Sequence, residues 1–312
     1  MNTTLKETAE EYLKGRRALG FKLYEHGLFL NQFIKFLDEQ GKSIITNELA
    51  VKWAMLPTGC DPSRWATRYG VIRQFAFYCK AIEPKTELLP EGLFPYRYKR
   101  KQPYIYSKKQ IVELLTAASG LESSKGFRAL TISTFLGLLA VTGMRIGECL
   151  GLDCDDVNLK QGLLTIKKTK NGKARLLPLH SSTVKVLSNY AKKRDVILPI
   201  AKTSKFFVNE WGTKLTQWSV RWTFVRLSKQ IGLRGPSDRF GPRIHDLRHT
   251  AAVRILQQWY RKGKDVEAYL PHLTTFLGHG HLRDTYWYIT GVPELMQLAV
   301  KKMKSLKGDN VL

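Results

Sequence analysis

The sequence predicts a mainly α-helical protein with two domains and one small antiparallel β-sheet. Apolar residues recur at helical spacing through most of the 312 residues, as they do in amphipathic helices. Two apolar runs, 162–167 and 174–179, instead flank an Asn-Gly turn, which is the strongest short-range signal for a β-hairpin. A basic segment with four prolines, 84–106, separates residues 1–83 from residues 107–312, so we expect a linker between two domains.

The first domain is predicted to contain four helices, at residues 5–19, 23–39, 47–55 and 62–81. The fourth helix carries Arg64, Arg68 and Arg73 on the side opposite its apolar residues. Such a charged face is either solvated or in contact with phosphates, and the sequence leaves both open. The basic run of the linker is well placed to lie along a nucleic-acid backbone, and its candidate contacts are Arg97, Lys99, Arg100 and Lys101.

The second domain is predicted to begin with a helix that Ser107 caps, followed by a strongly apolar helix at 127–141. A short helix at 145–152 leads into the hairpin, and a short strand is predicted at 206–208. One further helix is predicted to end at residue 194. The others span 216–231, 245–260, 270–277, 282–289 and 293–304.

The charge of the chain points to a polyanionic partner. Its formal net charge is +25 and its pI is near 9.9. A protein of a membrane surface could show the same excess, but the longest apolar run, about 131–141, is too short to span a bilayer. The N-terminus lacks the apolar core of a signal peptide, so we expect a soluble cytoplasmic protein.

The sequence gives no sign of a cofactor or a metal site. It has no GxxxxGK[ST] loop for nucleotide phosphates, and no paired carboxylates suggest a two-metal nuclease. Its four cysteines form no CxxC pair, so buried, reduced thiols are expected.

Arg145 lies where a turn meets the start of a helix. Backbone N–H groups and a guanidinium at such a position favour a phosphate. A surface ion pair with Glu148, three residues further on, would explain the same pattern without any function. Glu148 can hold Arg145 in position under either interpretation.

Lys170 stands beside the Asn-Gly turn of the hairpin. A lysine there is usually a solvated charge, but it could also reach over a substrate and donate a proton. Lys167, Lys168 and Lys173 are rivals that the spacing does not exclude.

His245 and Arg248 are predicted to share one face of a helix, which suits an anion. His245 and His249 are four residues apart, as in a zinc-binding helix. Arg248 would crowd a cation there, and no clear third ligand is present, so the metal interpretation is the weaker one.

His279 follows Leu-Gly at a predicted helix end, and Tyr286, Trp287 and Tyr288 lie on the next helix. A histidine at a helix end commonly only complements the helix dipole. An aromatic cluster is, by itself, more often part of a core than of a catalytic site.

Four motifs together resemble the tyrosine recombinase family of the Xer and phage-integrase type. They are TGMRIGECLGL (142–152), TKNGKARLLPL (169–179), HDLRHTAAV (245–253) and LGHGHLRDTYWY (277–288). The family's first arginine falls on Arg145, its hairpin lysine on Lys170, its His-x-x-Arg box on His245 and Arg248, and its last histidine and nucleophile on His279 and Tyr288. The strand before Lys170 is one residue longer than is common, so its neighbours stay candidates, and Tyr286 is a minor alternative for the nucleophile. With Tyr288 facing the phosphate, Tyr286 and Trp287 are expected to pack.

The resemblance implies a two-domain clamp on double-stranded DNA. Residues 1–83 would be the helical, SAM-like core-binding domain, 84–106 the linker, and 107–312 the catalytic domain with its C-terminal helix. The enzyme would be a site-specific recombinase or integrase, as found in mobile elements, that cuts and rejoins DNA without metal, ATP or another cofactor.

The resemblance also implies a role for each matched residue. Tyr288 would attack a phosphodiester to form a 3′-phosphotyrosine link and release a 5′-hydroxyl, while Arg145 and Arg248 clamp the phosphate. His279 would donate a hydrogen bond to the phosphate, His245 would take the phenol proton, and Lys170 would protonate the leaving oxygen.

The working form implied by the family is a homo-tetramer on two DNA duplexes, in which related recombinases could also take part. The C-terminal helix has an apolar stripe of Leu295, Leu298, Ala299 and Met303. It would dock on a neighbouring protomer or pack on its own domain. A type IB topoisomerase and a non-catalytic DNA-binding protein derived from a recombinase are the alternative functions.

Overall fold

A computed structural model gives the structure of the chain and describes residues 4–95, 102–123, 125–167, 174–200, 202–238 and 240–308. The chain divides into two compact units, Met1–Lys101 and Gln102–Leu312. Each has its own hydrophobic core.

The first unit contains four helices, as predicted. They are α1 (Leu5–Ala18), α2 (Tyr24–Glu39), α3 (Asn47–Met55) and α4 (Pro62–Lys80). Thr4, Thr46 and Asp61 cap α1, α3 and α4 with side-chain oxygens that accept backbone N–H groups. Phe33, Trp53 and other aromatic and aliphatic side chains from α1–α4 form the core of this unit.

The predicted linker is packed at both ends. Leu89 is buried in the core of the first unit and Phe94 packs against it. Tyr106 is buried in the second unit, where its hydroxyl donates to the carbonyl of Arg243 at 2.9 Å. Residues 96–101, with the basic candidates Arg97, Lys99, Arg100 and Lys101, lie outside the described residues.

Arg68 corrects the prediction of a charged outer face on α4. Its side chain is buried, Nη2 donates to the carbonyl of Trp53 at 2.8 Å, and the guanidinium stacks over the Trp53 ring at 3.7 Å. Arg73 is half-buried and donates to the carbonyl of Leu89 and to Glu91. Arg64 is exposed as predicted.

The second unit has nine helices, α5–α13, and three short strands among its described residues. The helices are α5 (Lys108–Ser119), α6 (Phe127–Thr142), α7 (Ile146–Gly151), α8 (Ser181–Ile197), α9 (Gln217–Gln230), α10 (Asp246–Arg261), α11 (Val266–Leu277), α12 (Arg283–Gly291) and α13 (Pro293–Gly308). The strands are β1 (Val157–Asn158), β2 (Leu163–Ile166) and β3 (Arg175–Pro178).

The sheet is antiparallel in the order β1-β2-β3, and Leu164 pairs with Leu177 across the predicted hairpin. The short strand β1 was not predicted. The strand predicted at 206–208 was wrong: Val208 makes only an isolated bridge with Lys214. Its apolar residues signal burial instead, because all three side chains pack in the core around Tyr190.

The last four helices form a separate small core. Leu256 of α10, Leu270 and Leu277 of α11, Tyr288 of α12 and Leu295 of α13 are all buried in it. This packing brings the ends of α10, α11 and α12 together, and the candidate site lies there.

The C-terminal helix α13 packs on its own unit, against α10 and α12. Leu295 is fully buried and Leu298 packs beside it, whereas the side chain of Met303 is outside the described part. The apolar stripe of α13 thus packs on its own domain, which is the second of the two alternatives that the sequence left open.

Two further predictions concern cysteines and membranes. All four cysteines are free; Cys79 and Cys149 are buried as expected, while Cys154 is exposed. None of the helices in the described part of the chain is both long and apolar enough to cross a membrane.

Candidate active site

Arg145 occupies the position directly before α7, at a turn that Gly143 makes possible. Gly143 ends α6 with a φ of 63°, a value that favours glycine. From there the Arg145 side chain, 26% exposed, reaches the carbonyl of Gly278 at 2.8 Å and Glu148 at 2.9 Å. The Arg145–Glu148 pair therefore exists, but Glu148 is buried and Arg145 is also tied to the carbonyl of Gly278, so the pair is not on an open helix surface.

Glu148 is a buried carboxylate shared by two arginines. Nη1 of Arg175 donates to Oε1 at 3.1 Å and Nη2 to Oε2 at 2.9 Å, and Nη1 of Arg145 also donates to Oε1, at 2.9 Å. Burial acts to raise the pKa of Glu148, but the hydrogen bonds from Arg175 and Arg145 outweigh it and lower the pKa. The carboxylate is thus ionised and orients both guanidiniums.

Arg175 is a site residue that the sequence did not reveal. It lies on β3 with its side chain only 6% exposed, and Nε donates to the carbonyl of Phe276 at 3.0 Å. It ties the hairpin to α7 and to the end of α11. One signal was available: strand alternation places Arg175 on the same face as the buried Leu177.

Gly278 is required at the end of α11 for two reasons. Its φ is 69°, and a Cβ atom built there would lie 2.5 Å from Nη1 of Arg175. The glycine of the Leu-Gly-His motif is therefore explained by the arginine packed on it.

Arg248 projects from α10 and is almost fully buried. Nη1 donates to the carbonyl of Gly143 at 2.9 Å and Nη2 to the carbonyl of Leu277 at 2.8 Å. Burial lowers its pKa to about 10, opposed by Tyr288 and assisted by Arg145, so the side chain remains a cation at neutral pH. Since Arg145 binds the next carbonyl, that of Gly278, both arginines converge on the end of α11.

His245 stands at the start of α10 and is exposed. Its ring meets that of His249 edge to face, with 4.9 Å between centroids. Partial desolvation of the ring and the cations of Arg248 and Arg243 lower the pKa of His245. The imidazole is therefore neutral near pH 7 and able to accept a proton.

His249 contacts the hydroxyl of Tyr288, at 3.1 Å from Nδ1. Both side chains are buried. Burial, followed by the charge of His245, lowers the pKa of His249 to about 3, so the ring is neutral. The sequence suggested His249 only as part of a metal site, and no cluster of possible ligands was found among the described residues.

His279 directly follows Gly278 and is half-buried. Its Nδ1 lies 2.8 Å from Oγ1 of the buried Thr285, and its ring stacks on that of Tyr288 with 6.1 Å between centroids. His279 thus lies beside the phenol and directly after the two residues whose carbonyls bind Arg145 and Arg248.

Tyr288 and Tyr286 each lie in the environment that was expected of the other. Tyr288 is 1% exposed and lies between His249 and His279. Tyr286, which was expected to pack, is 38% exposed, because it points out from α12. Trp287 packs as predicted, against His249 and Tyr288.

Lys170, Lys168 and Lys173 lie outside the described residues. Lys167 is described, and its Nζ forms an ion pair of 2.5 Å with Asp156. The hydrogen bond and charge of Asp156 raise the pKa of Lys167, which makes it a poorer proton donor.

The second unit matches the model of the phage integrase family over residues 105–292. A Sinorhizobium fredii protein described as an integrase/recombinase, y4rB, is 43% identical over 306 residues, which is 97% of this chain and 98% of the relative. The tyrosine recombinase XerD of Staphylococcus haemolyticus is 31% identical over 194 residues, 62% of this chain and 59% of that protein.

Solved structures share the fold. One is the XerH site-specific recombinase bound to palindromic difH substrate, with a TM-score of 0.66, 20% identity and coverage of 95% of this chain and 84% of that one. Another is the Tn1549 transposon integrase in complex with transposon right-end DNA, with a TM-score of 0.67, 15% identity and coverage of 98% and 100%.

The chain belongs to the phage integrase family. It is a tyrosine recombinase, an enzyme that cleaves and religates DNA at specific sites. The resemblance inferred from the four motifs, and the mainly helical fold with a small antiparallel sheet, are thereby confirmed.

Proposed function

We propose that Tyr288 is the nucleophile of this recombinase and that Arg145, Arg248 and His279 hold the phosphate it attacks. The observation that carries the proposal is the convergence on the end of α11: Arg248 and Arg145 bind the carbonyls of Leu277 and Gly278, and His279 follows them, stacked on Tyr288. Three potential phosphate ligands are thus grouped beside one tyrosine.

The chemistry is an exchange of one phosphodiester bond for another. The Tyr288 oxygen forms a bond to phosphorus as the bond to the 5′-oxygen breaks, which leaves a 3′-phosphotyrosine and a free 5′-hydroxyl. The phenol loses a proton and the leaving oxygen gains one. Because the bond energy is retained in the phosphotyrosine, a 5′-hydroxyl from another strand can reverse the step without ATP.

Arg145 and Arg248 neutralise the charge that builds on the non-bridging oxygens. Glu148 fixes the direction of Arg145, and burial fixes Arg248, so little reorganisation is needed when DNA binds. Each such group is typically worth about 10² to 10³ in rate.

His245 is the proposed acceptor of the phenol proton. It is the exposed histidine of the pair on α10, and its lowered pKa keeps it neutral at pH 7. Lys170 is the proposed donor to the leaving 5′-oxygen. The pairing of Lys167 with Asp156 disfavours Lys167, while Lys168 and Lys173 remain alternatives.

The basic charge of the chain supports DNA binding along both proposed domains and the linker. Of the three arginines on α4, Arg64 is the proposed phosphate contact, because Arg68 and Arg73 are engaged within the first unit. Arg97, Lys99, Arg100 and Lys101 are the proposed contacts of the linker.

We propose that the working form is a homo-tetramer on two duplexes, in which related recombinases could also take part. We also propose that the protein acts in the cytoplasm, where such DNA is found. Similarity to proteins crystallised with DNA supports the assembly, among them a lambda integrase tetramer bound to a Holliday junction. In this chain α13 packs on its own unit, so exchange between protomers would require it to detach.

A nicked cognate duplex, from which the short 5′-hydroxyl fragment diffuses away, tests the proposal. Wild-type protein should leave a denaturation-resistant protein–DNA adduct, and Tyr288→Phe should leave none. Tyr286→Phe is the matched control and should behave as wild type. An adduct that persists in Tyr288→Phe and disappears in Tyr286→Phe would assign the nucleophile to Tyr286.

The alternatives give other outcomes. A type IB topoisomerase would relax supercoiled plasmid as a monomer and without a specific site, and a decayed recombinase would bind DNA but form no adduct. The intact set of site residues favours the recombinase.

A further inference from the structure

We infer that Thr285 and Thr274 select the tautomer of His279, so that His279 can donate a hydrogen bond from Nε2 only as an imidazolium. Thr285 lies on α12 and Thr274 on α11. The inference rests on the proposed role of His279 as a phosphate ligand and assigns positioning roles to two threonines.

The geometry is a chain of three short hydrogen bonds. Nδ1 of His279 lies 2.8 Å from Oγ1 of Thr285, which lies 2.8 Å from Oγ1 of Thr274. The Thr274 hydroxyl in turn donates to the carbonyl of Leu270 at 2.8 Å. A carbonyl can only accept, so the direction of the last bond is fixed.

Counting protons fixes the other two bonds. Each hydroxyl has one proton to donate. Thr274 gives its proton to Leu270, so Thr285 must donate to Thr274. Thr285 can then only accept from His279, which requires a proton on Nδ1.

A neutral ring with its proton on Nδ1 has a lone pair on Nε2. In that state Nε2 repels a phosphate oxygen instead of binding it. A second proton on Nε2 makes the ring both a donor and a cation, and the bond to Thr285 is kept. The two threonines therefore make the contact of His279 with a phosphate conditional on the imidazolium form.

Most charged groups around His279 are cationic. Arg145, directly before α7, Arg175 of β3 and Arg248 of α10 bind the backbone carbonyls of residues 276–278, and Glu148 of α7 binds Arg145 and Arg175. Tyr288 of α12 stacks on the ring itself. His281, Arg283 and Asp284 follow on its own segment. A bound DNA phosphate would add the negative charge that favours protonation of the ring.

Three valine substitutions separate this role from general packing. Thr285→Val and Thr274→Val keep the shape of the side chain and remove the hydroxyl. Thr275→Val is the matched control, since Thr275 is an exposed neighbour on α11 whose hydroxyl donates to the carbonyl of Pro271 at 3.0 Å. Thermal unfolding of each variant identifies any general loss of folding.

The first measurement is the ring ¹⁵N spectrum of full-length, histidine-labelled protein without DNA, in which His279 is identified by difference with His279→Gln. Wild type should show the neutral ring protonated at Nδ1. Thr274→Val frees the Thr285 hydroxyl to donate to Nδ1, so the proton should move to Nε2. A wild-type ring protonated at Nε2 would overturn the inference, whether or not the protein cleaves DNA.

The second measurement is the rate of adduct formation on the nicked duplex. Thr285→Val should react at least about ten-fold more slowly than Thr275→Val, the effect of losing one buried hydrogen bond. From neutral to alkaline pH the rate of Thr274→Val should fall less than that of wild type. Equal rates for Thr285→Val and Thr275→Val, in folded protein, would contradict the positioning role; a wild type without any adduct would instead refute the proposed function.

Discussion

The hydroxyl of Tyr288 and Nδ1 of His249 are joined by a hydrogen bond of 3.1 Å, and both side chains are buried. His249 is therefore the histidine in contact with the proposed nucleophile, while His245 lies one helical turn away on the exposed side. The pKa of His249 is lowered to about 3 and that of His245 to about 4, so His245 is the stronger base of the two. We therefore propose that His249 orients the phenol and that His245 accepts its proton.

Substitution of His249 should show whether this residue orients the phenol of Tyr288 or accepts its proton. Asparagine can place a polar atom where Nδ1 lies and keep a hydrogen bond to Tyr288, whereas leucine leaves the buried phenol without this partner, at a cost of about 1–3 kcal/mol. We expect His249→Asn to form the adduct on nicked DNA faster than His249→Leu. If the two variants lose activity equally while both remain folded, His249 acts by accepting the proton.

The buried, neutral state of His249 also predicts how stability depends on pH. Its folded-state pKa of about 3 is below the unfolded value near 6.5, so the unfolded chain binds the proton first. Stability from this residue is complete above about pH 6.5 and is lost as the pH falls toward 3. Between pH 6.5 and 5 the loss is about 2 kcal/mol.

Urea unfolding at a series of pH values measures this dependence. His249→Asn, which cannot titrate, should show a smaller fall in the free energy of unfolding over the same interval. Identical slopes for wild type and His249→Asn would show that the ring is protonated in the folded protein as readily as in the unfolded chain.

Gly278 and Gly263 form a natural pair for testing the contact with Arg175. Both have a positive φ, 69° and 66°, but a Cβ atom at Gly263 meets nothing within 4 Å, whereas one at Gly278 lies 2.5 Å from Arg175. Gly263→Ala should cost only the backbone strain, about 1 kcal/mol. Gly278→Ala should cost more and should also slow adduct formation, because it displaces Arg175 and the turn before His279.

The stability of both variants by thermal unfolding, and their cleavage rates, are the measurements. Equal losses of stability with unchanged cleavage would mean that the Arg175 side chain moves aside freely and does not support the site.

Arg175 and Glu148 should be energetically coupled. Arg175→Met leaves the buried carboxylate with Arg145 alone, and Glu148→Leu leaves Arg175 buried without its partner, so each single change should destabilise the protein by about 3–5 kcal/mol. The double variant should lose less than the sum, with a coupling of about 0.5–3 kcal/mol. Additive losses in the free energy of unfolding would show that the two side chains act independently.

The sequence predicted the parts of the site that depend on local structure. Arg145 directly before α7, the pairing of β2 with β3 and the glycine before His279 are all signalled by turn and cap residues that act over a few positions. The helices of both units follow from apolar periodicity in the same way.

The contacts between distant segments were not predictable. Arg175 reaches Glu148 and the carbonyl of Phe276, which is 101 residues away, and His249 meets Tyr288 39 residues away. Arg68 was misplaced for the same reason: the periodicity of α4 does not reveal that Trp53 of α3 offers a ring and a carbonyl to a buried guanidinium. Such partners are set by tertiary packing.

Tyr288 is the residue that we propose forms the covalent link to DNA. Trapping wild-type protein on a nicked cognate duplex, digesting the adduct with nuclease and protease, and mapping the modified peptide by mass spectrometry tests it directly. The expected product is a nucleotide linked through its 3′-phosphate to Tyr288. A nucleotide on Tyr286 or any other residue, or a link through a 5′-phosphate, would contradict it.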